Sequence, residues 1–254
     1  MNGRAGQLVR AAVFLCALLM PLTASTTGAW ADEVSYVLAL SWQPGFCASD
    51  AGADRAECAG GGDATLTLHG LWPNADRNGD GRLDAEDDYC LEAARARLMA
   101  LDRRDWTQLP PVSLSADLRQ RLGDVMPGIV SQLERHQWVK HGSCSGLGAE
   151  RYFAAAVTLS EDVRNSQFAK TIEAQAGQDA SRRDLLQAFA AEFGKGTERA
   201  LQLLCRKDAG AATLTEIRLR LTATAIEEPL SRDSFDMARV AKGSCPARFS
   251  IERD

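Results

Sequence analysis

The chain has 254 residues, of which 25% are charged and 45% hydrophobic, and its formal net charge is −5 at pH 7. That length suits one domain with a sizeable core, while the acidic balance excludes a protein that coats a polyanion by neutralising many phosphates. It leaves room for a turnover enzyme, which must release its product and needs cationic groups only locally.

At the N-terminus, Arg4 and Arg10 accompany an apolar run from Ala11 to Leu22, and Ala29-Trp30-Ala31 puts small residues at cleavage-site spacing. This is the pattern of an export signal, so residues 1–31 are expected to be removed and residues 32–254 to form the mature domain. The apolar run is shorter than the roughly 20 residues of a spanning helix and contains Pro21. A periplasmic or secreted protein is expected, free of the membrane once the signal is gone, and monomeric. Of the seven cysteines, Cys16 lies within the signal. The remaining set, Cys47, Cys58, Cys90, Cys144, Cys205 and Cys245, is even, which in an exported chain predicts three disulfides.

Ser35 to Trp42 is rich in Tyr, Val, Leu and Trp and is stopped by Pro44 and Gly45, which predicts a buried strand. Thr65 to His69 predicts another, with Thr65, Thr67 and His69 on one face and His69 at the strand end, before Gly70. Ser131 to His141 is compatible with a helix. Further on, Ser181 and Asp184 suggest a capping box, followed by the apolar stripe Leu185, Leu186, Phe189 and Phe193 and the stop Gly194. A second helix is expected from Thr197 to about Cys205. Leu214 to Leu221 alternates Ile217, Leu219 and Leu221 with Glu216, Arg218 and Arg220, which predicts a strand with one wet face. The elements follow no regular β-α-β rhythm, so the expected class is α+β: a central antiparallel sheet with packed helices in one disulfide-bonded domain.

There are only three histidines in the sequence, and two of them fall in His136-Gln137-Trp138-Val139-Lys140-His141-Gly142-Ser143-Cys144. On a helix, His136 with Lys140 and Gln137 with His141 are four residues apart and share one side, while Trp138 and Val139 point away. Such a face can be merely solvated. A cationic cluster on an acidic chain, ended by a glycine and a cysteine, also suits phosphate chemistry. Zinc is disfavoured, because no carboxylate or cysteine stands at ligand spacing to these histidines.

Leu66-Thr67-Leu68-His69-Gly70-Leu71-Trp72-Pro73 resembles the first active-site motif of the ribonuclease T2 family, and His136 to Cys144 resembles its second. Tyr36 to Cys47, Ser181 to Asp184 and Leu214 to Ile217 are similar to the bacterial periplasmic, ribonuclease I-like branch. The resemblance implies an α+β endoribonuclease acting on single-stranded RNA through a 2′,3′-cyclic phosphate to 3′-phosphate ends, with no cofactor for catalysis. It implies His141 as general base and His69 as general acid in the first step, Lys140 stabilising phosphorane charge and His136 seating the phosphate. Trp72 reads equally as a base-stacking or a core residue, with Asn74 beside it as a substrate-binding position. The resemblance also implies the pairs Cys90–Cys144 and Cys205–Cys245, and proximity implies Cys47–Cys58. Two positions depart from the family pattern: Gln137 replaces the usual Glu, and Asn74 replaces an acid that commonly follows Trp-Pro. A glutamine amide can still donate to a phosphorane, so Gln137 is kept among the catalytic residues.

After the first motif, Asp76 to Asp87 reads as an EF-hand-like calcium loop. Asp76, Asn78, Asp80 and Asp87 would ligate through side chains, Arg82 through its carbonyl and Asp84 through water, around one structural Ca²⁺. The plain alternative is an acidic solvated turn. Two rival functions remain: a catalytically weakened RNA-binding relative, suggested by Gln137, and a calcium-dependent interaction protein, suggested by the loop.

Overall fold

Alternation of apolar with small or polar residues builds the sheet. In the computed structural model, which describes residues 1, 35–60, 62–74, 87–208 and 210–253, Tyr36, Leu38, Leu40 and Trp42 are buried on one face of strand β1 (Ser35–Trp42), and Ala39 and Ser41 fall on the other. The chain divides into two units, Met1–Ala31 and Asp32–Asp254. The expected export signal, Met1 apart, and the expected calcium loop, Asp87 apart, lie outside the described residues.

Helix α1 (Gln43–Cys47) carries Pro44 in its first turn, where a missing backbone N–H costs nothing. Strand β2 (Leu66–Asn74) follows, then helices α2 (Arg95–Asp102), α3 (Ala116–Val125), α4 (Leu133–Lys140), α5 (Ala149–Asn165) and α6 (Gln167–Glu173). Strand β3 (Gln178–Ser181), helix α7 (Arg182–Phe193) and strands β4 (Leu201–Asp208), β5 (Ala211–Leu221) and β6 (Arg248–Ile251) complete the order. The sheet runs β2-β1-β5-β6-β3, with β4 also paired to β5. Its pairings are antiparallel except β5 with β6.

One face of this sheet is the core. Leu38, Leu40, Leu66, Leu68, Leu71, Ile217 and Leu219 pack with Tyr152, Phe153, Ala156 and Val157 of α5 in a single buried cluster. Each such leucine contributes about 1.5–3 kcal/mol on burial. The cysteines pair as Cys47–Cys58, Cys90–Cys144 and Cys205–Cys245.

Two expectations are corrected. Thr197 to Cys205 is not a helix: a short 3₁₀ turn at Thr197–Arg199 leads into β4, where Leu201 and Leu203 pair with Leu219 and Ile217. Cross-strand packing of alternate leucines outweighs local helix preference here. Nor does β2 end at His69, since it continues to Asn74. Its register on β1 shifts between Leu40↔Leu68 and Ala39↔Gly70, so His69 is an extra residue at a β-bulge. A bulge bends the strand and re-aims the side chain at that point.

Candidate active site

Alternation carries His69 onto the sheet face opposite the core, the bulge re-aims it there, and Trp72 follows on the same face. Across the sheet, β5 presents Glu216 and Arg218, and β1 places Ser41 and Ala39 between the two strands. His69 Nδ1 lies 2.6 Å from Glu216 Oε2. The Arg218 Nε donates to the other oxygen, Oε1. Burial alone would push the Glu216 carboxyl up, but the hydrogen bond and charge of His69, with Arg218, hold it below the usual carboxylate range. The wet face expected around Glu216 is therefore a correction as well: its residue is 9% exposed, and it is kept ionised by two partners.

The second set of groups comes from α4. Gln132 adopts a left-handed conformation at φ 62°, which ends the preceding 3₁₀ turn and lets α4 start at Leu133 rather than Ser131. His136, Gln137 and Lys140 ride on α4, and His141 caps it. Val139 and Trp138 do point away: Val139 joins a small cluster with Tyr89, Leu98 and Leu109, and Trp138 packs on Tyr152.

His141 Nδ1 is 3.0 Å from Asp88 Oδ1. Burial pushes the His141 imidazole below its usual range, Lys140 and His136 push the same way, and Asp88 opposes them only in part. His136 Nδ1 is 2.7 Å from Asp102 Oδ1, and Tyr89 donates its hydroxyl to Asp102 Oδ2 at 2.7 Å. Burial would raise the Asp102 carboxyl, yet these hydrogen bonds outweigh it and hold the group low. Trp106 stacks on the His136 ring at 4.6 Å. Each of the three histidines thus has one ring nitrogen engaged by a carboxylate, which leaves Nε2 as the working atom.

Trp72 lies among these groups. Its ring is 5.3 Å from that of His69 and 5.4 Å from that of His141, and the Arg218 guanidinium covers it at 4.7 Å. Its indole Nε1 donates to Gln137 Oε1 at 2.9 Å. An indole nitrogen can only donate, so this contact fixes which end of the amide faces Trp72. Gln137 is 1% exposed, and its Nε2 is buried without a partner. The approach of Gln137 also explains Gly70, because a Cβ there would lie 2.0 Å from Gln137 Oε1. Asn74, at the end of β2, donates to Ser35 Oγ.

A cavity of about 220 Å³ opens beside His69, lined among others by Phe46, Arg55, Glu57, Trp106 and Leu133. Arg55 stands 4.5 Å over the Trp106 ring. Among the described residues, no group of three or more His, Cys, Asp or Glu could hold a metal ion.

The sequence reading singled out the histidines, Lys140 and Gln137 but missed their anchors Glu216, Asp88 and Asp102. One signal was available for Glu216: a glutamate and an arginine two apart on one strand face can pair in place.

Residues 34–233 match the Ribonuclease T2 family. The chain is 33% identical to ribonuclease I of Escherichia coli K12, over 96% of this chain and 97% of that protein. A ribonuclease of Aeromonas hydrophila is 31% identical over 49% of this chain and 43% of its own. Among solved structures, ribonuclease MC1 from bitter gourd seeds has the same fold at TM-score 0.56 and 19% identity, covering 85% of this chain and 99% of that one. The self-incompatibility associated SF11-RNase of Nicotiana alata aligns at TM-score 0.58 and 19% identity, covering 87% and 98%. With both histidine motifs gathered on one face of this fold and the match spanning most of its length, the chain belongs to the Ribonuclease T2 family.

Proposed function

We propose that, in this ribonuclease, His141 takes the 2′-hydroxyl proton of RNA while His69 protonates the departing 5′-oxygen. The product is a 2′,3′-cyclic phosphate, which water opens to a 3′-phosphate with the two roles exchanged. The observation that carries the reading is the unequal setting of the two rings. His141 is half-buried and held below its usual range, so it is neutral and ready to accept a proton near pH 7. His69 rests on an ionised, clamped carboxylate at 2.6 Å, a setting that suits a proton donor.

Lys140, beside His141 at the end of α4, would stabilise charge on the phosphorane oxygens, and His136 would seat the phosphate. Gln137 contributes through Trp72, which it holds between the two histidines. The cavity beside His69 would take a nucleotide of a single-stranded substrate, and a neighbour of the same fold, a mutant of ribonuclease MC1, has been solved with 5′-GMP. Both proton transfers come from side chains, so no step is routed through a metal.

Removal of residues 1–31 and residence in the periplasm or medium as a monomer complete the reading. The three disulfides support an oxidising compartment. Calcium at Asp76–Asp87 would be structural. The position of Asp87 supports this: it is buried and directly precedes Asp88, the partner of His141.

The test is cleavage of RNA in EDTA followed by analysis of the product ends. Cyclic phosphate appearing first and 3′-phosphate later is expected. Ends bearing 5′-phosphate would refute the assignment of the 2′-hydroxyl as nucleophile.

A further inference from the structure

A carboxylate buried in mid-sheet is costly unless it is fully paired, and Glu216 is paired at both oxygens. His69 takes Oε2 and Arg218 takes Oε1. Arg218 then lies over the Trp72 ring, and Trp72 meets His69 edge-on. His69, Glu216, Arg218 and Trp72 therefore close a ring of contacts over the middle strand.

The sheet is built to allow this closure. Glu216 stands two strands from His69, a separation of roughly 10 Å at the usual strand spacing. Between them β1 offers only Ser41, paired with Glu216, and Ala39, paired with Arg218 and Gly70. Side chains that small leave the space in which an imidazole and a glutamate meet.

We propose that Glu216, oriented by Arg218, is the positioning residue for His69: it holds Nδ1–H and directs Nε2 toward the leaving oxygen. The inference rests on His69 being the general acid. Arg218 keeps the carboxylate turned to the ring. The charged and titratable groups facing His69 are Glu216 and Arg218 from β5, Arg55 and Glu57 around the adjoining cavity, and His141 beyond Trp72. Of these, Glu216 alone touches its ring nitrogen.

The test compares two substrates on Glu216→Gln: RNA, whose alkoxide leaving group needs a proton, and a ribonucleoside 3′-(4-nitrophenyl phosphate), whose phenolate leaves without one. On RNA, kcat should fall about 10- to 100-fold, a part of the roughly 10² to 10⁴ supplied by a positioned acid, with little change in KM. The nitrophenyl ester should lose no more than about 3-fold.

Arg218→Lys keeps the charge but loses the oriented Nε. It should show the same selectivity at smaller size, and it serves if Glu216→Gln folds poorly. Equal losses on both substrates would overturn the proposal. His69→Ala separates the two layers. If it too loses equally on both substrates, the acid assignment fails. If it is selective while Glu216→Gln is not, only the role of Glu216 fails.

Discussion

The two histidines at the centre of the site are held by different parts of the molecule. His69 stands on a sheet and takes its carboxylate from the same sheet, with ladder hydrogen bonds through β2, β1 and β5 fixing both partners. His141 stands at a helix end, and its carboxylate, Asp88, comes from the short segment that follows Asp87. That segment is secured by the Cys90–Cys144 disulfide and by Tyr89 N–H donating to the Lys140 carbonyl at 2.8 Å. One histidine depends on β-pairing and the other on a covalent tether, so the two can be disturbed separately.

The largest effect should come from removing either ring. His69→Ala and His141→Ala should each lower turnover by at least about 10² to 10⁴, with much smaller changes in KM. Each should also turn a two-limbed pH–rate profile into a one-limbed one. A variant retaining near-normal turnover would remove that histidine from the mechanism.

Next in size is the tether. Replacing Cys90 and Cys144 together by Ala should cost about 2–5 kcal/mol of stability, measurable by denaturant titration. It should also lower kcat by loosening Asp88 from His141, while the His69–Glu216 contact remains. Full kcat per folded molecule would show that Asp88 keeps its place without the disulfide.

The comparison also predicts where the limbs fall. Because the folded pKa of His141 is lowered, the ring stays neutral to lower pH than a free imidazole, and the low-pH limb of kcat/KM should lie below the ordinary value of 6.5. A pH–rate series at subsaturating RNA checks this, and a limb at or above 6.5 contradicts the burial argument.

Smaller still should be Gln137→Glu, which preserves shape and the acceptor for Trp72. Its rate change should stay under the roughly 10² to 10³ that follows loss of a transition-state donor, and a very large gain would mean that the natural protein is impaired. Smallest on chemistry should be calcium removal. EDTA should lower the melting temperature without abolishing cleavage at moderate temperature, and an unshifted melting curve would return Asp76–Asp87 to a solvated acidic turn.

The candidate reacting groups were legible in the sequence because histidine is scarce in it and Lys140 and His141 sit together. Their supports were not. Glu216 is 147 residues from His69, Asp88 is 53 from His141 and Asp102 is 34 from His136, and with 34 acidic residues periodicity does not say which carboxylate folds back onto which ring. Alternation gave the correct face for Glu216 and Arg218, but it carries no information on what crosses that face, so the buried Glu216 was read as solvated. The helix expected at Thr197–Cys205 failed for a related reason: Leu201 and Leu203 owe their conformation to Leu219 and Ile217, which lie later in the chain.

The bulge at His69 makes the site sensitive to chain length as well as to residue identity. Because β2 holds one residue more than β1 can match between Leu68 and Gly70, deleting Gly70 would set His69 opposite Ala39 and restore a regular ladder. The shortened strand would keep its core leucines, and its ladder would gain regularity. It would lose the kink that aims an imidazole at Glu216. Substitution scans would score Gly70 and its neighbours for what their side chains do, whereas a deletion scan along Leu66–Asn74 would reveal a second requirement, the count of residues itself.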